Sequence, residues 1–174
     1  MRRLLLLRHA KTERAGPGER DRDRKLTEQG RTDATVIGNY LVRHRLLPDC
    51  VLISPALRTQ ETWMPIAAAF IKAPLVVTDT RIYNAASEAL AELIQEIGDV
   101  RTLLVIGHNP GLHDLALQLI GSGDVGARAA LSEKLPTSGL VAIDFAFNDW
   151  SLLPGHAGRL DRFVSPRLIA AATD

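Results

Sequence analysis

The sequence predicts an α/β fold: a three-layer α/β/α arrangement around a largely parallel central sheet of five or six strands. Short apolar runs alternate along the chain with longer segments of helical periodicity, which is typical of a parallel sheet covered on both faces. The chain has 174 residues, of which 46% are hydrophobic, and this suits one domain with a substantial core. No linker-like composition interrupts it, so we expect a single domain over residues 1–174.

The N-terminal half contains three of the predicted strands. They are the short apolar runs at residues 4–7, 50–54 and 74–78. A helix is predicted over 27–45 with Thr27 as its N-cap, and a second helix begins with Ser54 as cap and Pro55 at the first helical position. The intervening segment 13–25 holds five cations and four anions, which predicts a solvated loop.

The C-terminal half alternates in the same way. Ser87 is predicted to cap a helix that Gly98 ends. After a strand at 102–107, a further helix is predicted with Asn109 as N-cap, Pro110 at the first helical position and Gly121 as its end. The last two strands, at 139–145 and 159–164, are close in sequence and are expected to pair antiparallel.

Composition excludes several classes of function. The formal net charge is +1, so bulk electrostatics favour neither nucleic acid nor membrane as a partner. The single cysteine, Cys50, forms no internal disulfide and lies in an apolar run, which predicts a small buried hydrophobe. The N-terminal apolar run is too short for a secretory signal and no window is long enough to span a membrane, so we expect a cytoplasmic protein.

Functional-looking side chains follow three of the predicted strands. The first strand ends in Arg8 and His9, the second leads through Ser54 to Arg58, and the fourth ends at His108. Ligands of open α/β sheets bind at the carboxyl ends of strands. We therefore expect these side chains to meet at one edge of the sheet.

The residue types indicate what such a site binds. Arginine presents a fixed fork of donors that matches phosphate oxygens, and helix N-termini add N–H groups that favour an anion. Two histidines supply a nucleophile and a donor, or an acid and a base. A zinc site is disfavoured, because His108 and His113 do not share a helical face and no thiolate pair is present. The sequence predicts a phosphoryl site without metal.

Four segments, in order, resemble the motifs of the histidine phosphatase superfamily, which has the phosphoglycerate mutase-like fold. They are "RHAKT", "LTEQGRTDA", "ISPALRTQET" and "VIGHNPGL", and the resemblance spans residues 3 to about 165. Within the superfamily the chain is most similar to the SixA-type phosphohistidine phosphatases, which lack large inserted caps. The short segments after the third strand and at 121–138 leave little material for a lid, so we expect an open site that admits a protein side chain.

The resemblance implies a role for each matched residue. His9 would be the nucleophile that forms a covalent phosphohistidine, while Arg8 and Arg58 would clamp the phosphoryl oxygens. His108 would donate a hydrogen bond to the same oxygens as charge shifts in the transition state. Asn109 would also contact substrate. No metal or other cofactor is implied.

Two positions depart from the family pattern. Ala10 replaces the usual glycine, which should be tolerated if the backbone there keeps a negative φ. Aligning Ile82 with the family's leucine puts Asn84 where many members have a glutamate general acid. Asparagine cannot protonate a leaving alkoxide, so substrate-binding Asn84 favours phosphohistidine over ordinary phosphomonoesters. Glu88 lies nearby as a possible general acid, although an acidic residue in a first helical turn also has a structural reason to be there.

The sequence leaves three functions open. The first is a phosphatase acting on phosphohistidine of a protein partner, such as a phosphotransfer protein. The second is a small-molecule phosphomonoesterase of the same superfamily, with Glu88 as its acid. The third is a phosphate- or phosphoprotein-binding module without turnover, against which the intact set of arginines and histidines argues.

Overall fold

A sheet of seven strands organises the computed structural model, which describes residues 1–173. The strands are β1 (Arg2–Arg8), β2 (Cys50–Ile53), β3 (Leu75–Thr78), β4 (Thr102–Gly107), β5 (Ile120–Gly123), β6 (Leu140–Phe145) and β7 (Gly158–Val164). Their order across the sheet is β3-β2-β4-β1-β6-β7-β5. Only β6 runs antiparallel to its neighbours β1 and β7, which confirms the largely parallel sheet and the antiparallel pairing of its last two predicted strands.

Helices pack on both faces of this sheet. They are α1 (Glu28–Arg43), α2 (Leu57–Ala68), α3 (Ser87–Gln95), α4 (Gly111–Leu119), α5 (Val125–Glu133) and α6 (Pro166–Thr173). Single 3₁₀ turns lie at Asp21–Asp23, Thr80–Ile82 and Trp150–Leu152. No helix within residues 1–173 is long and apolar enough to cross a membrane.

The four consecutive leucines of β1 serve both hydrophobic cores. All four are fully buried. Leu4 and Leu6 pack with the side chains of α3, α4 and α5 on one face, whereas Leu5 and Leu7 pack with those of α1 and α2 on the other. Successive side chains of a strand point to opposite faces, so a strand buried on both faces needs an unbroken apolar run rather than an alternating one.

The seventh strand corrects the predicted count of five or six. The sequence of β5, Ile-Gly-Ser-Gly, has none of the β-branched or aromatic alternation that predicts a strand. It forms because β7 offers a parallel partner. A Cβ on Gly121 would lie 1.8 Å from the His156 carbonyl oxygen, so glycine there allows the close approach. Helix α5, capped by Asp124, and helix α6 were also absent from the prediction.

Tertiary contacts changed most of the predicted caps. Thr27 caps α1 as predicted, its side chain accepting from the backbone N–H of Gly30. Helix α4 begins at Gly111 with Pro110 at the N-cap, one position later than predicted. The other three predicted caps are wrong. Helix α2 begins only at Leu57, although Ser54 Oγ accepts from the backbone N–H of Ala56 as well as contacting His108. The side chains of Ser87 and Asn109 bond elsewhere, to Gln118 and to the Leu135 carbonyl.

Candidate active site

Three adjacent parallel strands bring the predicted residues to one edge of the sheet. Arg8 at the end of β1 is in register with Gly107 at the end of β4, and β2 pairs with the other side of β4. His108 therefore emerges beside Arg8 and His9. The rings of His9 and His108 are 5.4 Å apart, centroid to centroid.

His9 is held as a neutral base with one nitrogen available. Its side chain is buried, and Nδ1 lies 2.8 Å from the carbonyl oxygen of Ala10. A carbonyl oxygen can only accept, so Nδ1 carries the proton and Nε2 the lone pair. Burial lowers the pKa of His9 to about 4, and the charges of Arg58 and Arg8 act in the same direction. At neutral pH, Nε2 is an uncharged nucleophile.

His108 is oriented by a buried serine. Its Nε2 lies 2.7 Å from Ser54 Oγ, which accepts from the backbone N–H of Ala56 at 3.3 Å. We assign the serine proton to His108 Nε2, which leaves the imidazole proton on Nδ1. Burial, followed by the charge of Arg58, lowers the pKa of His108 to about 3. The ring is therefore a neutral hydrogen-bond donor at physiological pH.

The two arginines hold positive charge close to these rings. Arg58, in the first turn of α2, is 5% exposed, and its Nη1 donates to the backbone oxygen of Asp21 at 2.8 Å. Arg8 Nη1 donates to the carbonyl oxygen of Leu135 at 3.2 Å. Burial and the charge of Arg58 both lower the pKa of Arg8. Two like charges brought together in a partly buried site favour an anion between them.

Several buried polar atoms at this edge have no partner among the residues that the structure describes. They are Arg8 Nε, Arg58 Nε, His108 Nδ1, Asn109 Oδ1 and Ser138 Oγ. Leaving a buried donor unpaired is costly. The first three are donors beside the His9 ring, and phosphoryl oxygens are acceptors that would satisfy them. Within residues 1–173, no cluster of three or more His, Cys, Asp or Glu side chains is arranged to hold a metal ion.

The chain after His9 is fastened to α2. The backbone N–H of Ala10 donates to Thr62 Oγ1 at 2.9 Å, and the Thr62 hydroxyl donates to the Arg58 carbonyl at 2.7 Å. Ala10 is fully buried and does not have a positive φ. Its replacement of the family's glycine therefore introduces no backbone strain, as expected from the sequence.

Sequence reasoning missed Asp21 and Tyr83. The Tyr83 ring lies edge-on to His108 with centroids 5.6 Å apart, and Arg58 Cζ is 5.8 Å from its centroid. The Tyr83 hydroxyl donates to Asp21 Oδ2, which also accepts from Arg58 Nη2 at 3.1 Å. The hydrogen bond from Tyr83, then those from Arg24 and Arg58, lower the pKa of Asp21 to about 2. Loop 13–25 is largely exposed as predicted. Because positive and negative residues alternate along it, the sequence did not indicate that Asp21 contacts Arg58.

Ser138 was also missed. It is fully buried, and its backbone N–H donates to the carbonyls of both Arg8 and His9, at 3.2 and 3.1 Å. It adopts a φ of 58°, an uncommon conformation for a residue with a side chain. The signal was strand direction: β6 is antiparallel to β1, so the start of β6 lies where β1 ends.

The remaining predicted site residues lie farther out. Asn109 Nδ2 donates to the carbonyl of Leu135 at 2.9 Å, the same oxygen that Arg8 contacts. Asn84 is exposed with a φ of 55°, and Glu88 is exposed in the first turn of α3. Within residues 1–173, neither Asn84 nor Glu88 makes a side-chain hydrogen bond. Substrate contact by the two asparagines and acid catalysis by Glu88 stay predictions.

Comparison with known proteins decides the family. Residues 4–97 match the model of the histidine phosphatase superfamily, branch 1. The chain belongs to the histidine phosphatase superfamily. An uncharacterized protein of Mycobacterium tuberculosis is 38% identical to this histidine phosphatase over 165 residues, covering 92% of this chain and 100% of the relative.

Solved structures place this histidine phosphatase near SixA. A protein of Agrobacterium tumefaciens, described as a candidate phosphohistidine phosphatase SixA, is 35% identical and superimposes with a TM-score of 0.81 over 95% of this chain and 99% of that one. A candidate SixA of Nakamurella multipartitia is 25% identical, with a TM-score of 0.82 over 95% and 96% of the two chains. The chain is a SixA-like phosphatase with the phosphoglycerate mutase-like fold.

Proposed function

We propose that this phosphatase hydrolyses phosphohistidine on a protein partner through a covalent intermediate on His9. The observation that carries the proposal is the neutral Nε2 of His9 beside three buried donors without protein partners, on Arg8, Arg58 and His108. The likeness to candidate SixA proteins at 35% identity supports the choice of phosphohistidine.

In the first step, the lone pair on His9 Nε2 attacks phosphorus. The bond between phosphorus and the substrate nitrogen breaks, and its electron pair stays on that nitrogen. If the remote nitrogen of the substrate ring is protonated, the leaving group departs as neutral imidazole. His9 then carries the phosphoryl group on Nε2 and keeps the Nδ1 proton that faces the Ala10 carbonyl. One phosphoimidazolium thus replaces another with no change in net charge.

In the second step, water attacks phospho-His9. The bond between phosphorus and Nε2 breaks, its electrons return to the ring, and dihydrogen phosphate leaves. The donors on Arg8, Arg58 and His108 remain on the phosphoryl oxygens throughout, where they stabilise the spread charge of the transition state. Because these side chains supply the electrostatics, the reaction as written needs no metal ion.

The leaving group decides the preferred substrate. A serine or sugar alkoxide leaves poorly unless it is protonated, and general acid catalysis is worth roughly 10²–10⁴ in rate. Asp21, the carboxyl group bonded to Arg58, has its pKa lowered to about 2 and is ionised at neutral pH. Glu88 is exposed and makes no side-chain hydrogen bond within residues 1–173. This arrangement suits a leaving imidazole, which needs no such acid.

A paired turnover assay tests the proposal. Purified protein is given a phosphohistidine-bearing phosphotransfer protein and, separately, p-nitrophenyl phosphate, with a chelator present. We expect rapid loss of phosphohistidine, slow ester cleavage, and no activity of either kind in His9→Ala. The matched control is His44→Ala, since His44 is exposed at the far end of α1. Rapid quenching of the phosphohistidine reaction should trap ³²P on the wild-type protein and none on His9→Ala.

Other outcomes identify the alternatives. Ester cleavage faster than phosphohistidine cleavage, lost in Glu88→Gln, would favour the small-molecule phosphomonoesterase. Absence of turnover on both substrates would contradict the proposal. Asn84→Glu is expected to raise ester turnover, and no gain would count against the position assigned to the missing acid.

A further inference from the structure

The guanidinium of Arg58 contacts Asp21 through its two Nη atoms and leaves Nε for a phosphoryl oxygen. Its Nη1 and Nη2 donate to Asp21, to the backbone oxygen at 2.8 Å and to Oδ2 at 3.1 Å. Its Nε is buried and has no hydrogen-bond partner within residues 1–173. The guanidinium can therefore bind a phosphoryl oxygen through Nε while its outer edge stays fixed to Asp21.

Asp21 lies on the open side of this arrangement. Its side chain is 51% exposed, whereas that of Arg58 is 6% exposed. In-line transfer requires the leaving group to depart on the side opposite His9, which is itself 8% exposed. The departing group therefore moves outward, toward the rim where the Asp21 carboxylate stands.

We propose that Asp21 is a specificity residue whose carboxylate accepts a hydrogen bond from the remote N–H of the leaving imidazole ring. This inference rests on the proposed function and names the residue that selects its substrate class. Asp21 Oδ2 already accepts from Arg58 and Tyr83, whereas Oδ1 accepts, among the residues that the structure describes, only from Arg24 at 3.2 Å. A carboxylate offers about four acceptor positions, so Oδ1 has one left for substrate.

The charge of Asp21 discriminates between leaving groups. A phosphoimidazolium carries positive charge on its remote N–H, and a carboxylate there stabilises the protonated ring that leaves readily. An ester leaving group gathers negative charge as its bond to phosphorus breaks. The imidazolium ring also gains an electron pair, but it passes from positive to neutral, so the carboxylate attracts it in the transition state relative to free substrate. The ester leaving group passes from neutral to negative and is repelled, so in kcat/KM the carboxylate favours cleavage of phosphorus–nitrogen bonds over phosphorus–oxygen bonds.

The surroundings keep Asp21 charged and in place. The groups that face it are Arg58 from α2, Tyr83 from the segment after β3 and Arg24 from its own loop, with His108 behind them. Hydrogen bonds from these donors lower its pKa to about 2. Arg24 is itself anchored, its Nη2 donating to Thr12 Oγ1 at 2.6 Å. The carboxylate is thus negatively charged at neutral pH and held in place by its hydrogen bonds.

The test compares two small probes that differ in the leaving group. These are 1-phosphoimidazole and p-nitrophenyl phosphate, assayed with the wild type and with Asp21→Asn. We expect kcat/KM for 1-phosphoimidazole to fall roughly 10- to 100-fold in the variant, while the ester value holds or rises. The alkaline limb of the kcat profile for 1-phosphoimidazole should also move to lower pH. That profile reports the pKa of the bound ring, which falls when the protonated ring loses the Asp21 carboxylate.

The ratio of the two rates separates specificity from a structural role. Effects transmitted through Arg58 act on the phosphoryl group that both probes share, so they cancel in the ratio. Asp23→Asn is the matched control, since Asp23 lies in the same 3₁₀ turn and, in the described part of the chain, its carboxylate pairs only with Arg20. Its ratio should equal that of the wild type. An equal change on both probes in Asp21→Asn would overturn the inference.

Failure of the proposed function and failure of the Asp21 inference give different results. Failure of the proposed function would be seen in the wild type, as slower cleavage of the phosphohistidine protein than of the ester. Failure of the Asp21 inference alone would leave that preference intact and show an unchanged ratio in the variant. If the wild type cleaves neither small probe, the Asp21 inference is contradicted, whereas cleavage of the phosphohistidine protein alone decides the proposed function.

Discussion

At the scale of single residues, the site is built from side chains that burial prevents from taking up protons. Both histidines are at least nine-tenths buried, and the cations of Arg58 and Arg8 lower the pKa of both rings, while the Asp21 carboxylate acts in the opposite direction on His108. Protonating either ring would add a third positive charge in a desolvated site. The protein thereby keeps both rings neutral, which the proposed roles of nucleophile for His9 and donor for His108 require.

Ser54→Ala should impair catalysis more than stability. The variant removes the Ser54 hydroxyl that donates to His108 Nε2. Without this donor, the imidazole proton is no longer held on Nδ1. We expect kcat/KM to fall roughly tenfold, consistent with the loss of one oriented donor. Ser87→Ala is the control, because it also removes a buried serine bonded to a side chain, that of Gln118. Equal activity in the two variants would contradict the role of Ser54.

Because the pKa values of His9 and His108 are lowered in the native state, the free energy of unfolding depends on pH. The native pKa values of about 4 and about 3 lie below the ordinary value of 6.5. Below pH 6.5 the unfolded chain therefore binds more protons than the native state, and the free energy of unfolding falls as the pH falls. Each histidine contributes a slope of up to about 1.4 kcal/mol per pH unit.

Urea unfolding at pH 7.5 and 5.5 measures this slope. We expect the wild type to lose stability between the two pH values, and the double variant His9→Gln/His108→Gln to lose clearly less. Identical losses in the two proteins would mean that the histidines are not held below their ordinary pKa.

The phosphatase activity should also fall as the pH falls. We expect it to persist at neutral pH and to decline toward pH 4, as Nε2 of His9 takes up a proton.

At the scale of elements, the site depends on how closely helices and loops approach. Helix α4, which follows directly after His108, packs its first residue, Gly111, against the segment that carries Tyr83. A Cβ on Gly111 would lie 2.0 Å from the carbonyl oxygen of Ala85. Gly30 has the same role at the start of α1, where a Cβ would lie 2.2 Å from the carbonyl oxygen of Lys11.

Gly111→Ala should therefore shift α4 and disturb the site. The added methyl meets backbone rather than a flexible side chain, so we expect a loss of about 1–3 kcal/mol in the free energy of unfolding and a fall in kcat/KM. Gly126→Ala in α5 is the matched control, since its Cβ meets only the Asp124 side chain at 3.3 Å. Helix propensity alone should make that control neutral or slightly stabilising. Urea unfolding and the phosphatase assay measure both effects.

At the scale of the whole molecule, one sheet couples two cores. Alternate leucines of β1 enter the clusters on opposite faces, so neither cluster is complete without the sheet. The chain carries two tryptophans, and they divide between the clusters: Trp63 on α2 belongs to one and Trp150 to the other. The molecule thus carries a fluorescent reporter on each face.

Unfolding should be a single cooperative transition, as expected for the one domain predicted over residues 1–174. In Trp63→Phe the fluorescence reports the face of Trp150, and in Trp150→Phe it reports the face of Trp63. In each variant, the urea midpoint by fluorescence should coincide with the midpoint by far-UV circular dichroism. Separate midpoints would mean that the two layers unfold independently.

The sequence alone predicted the fold class, most of the sheet and the meeting of Arg8, His9, Arg58 and His108 at one edge of the sheet; their catalytic roles stay predictions. Physical signals that act locally carried these predictions: apolar run length gave β1, β2 and β4, and residue type at strand ends gave Arg8, His9 and His108. The capping of α1 by Thr27 is also local. Such features need no knowledge of distant parts of the chain, because a strand end or a cap involves only neighbouring residues.

Only the tertiary structure decided the rest. Strand β5 exists because a distant partner supplies its hydrogen bonds. Ser54 orients His108, in addition to its local bond with the Ala56 N–H, because burial brings the serine and the histidine together. Asp21 reaches Arg58 across 37 positions of sequence, and its place among alternating charges gave no local sign of this contact. Long-range packing determines which polar side chains come into contact, and no local pattern in the sequence records those contacts.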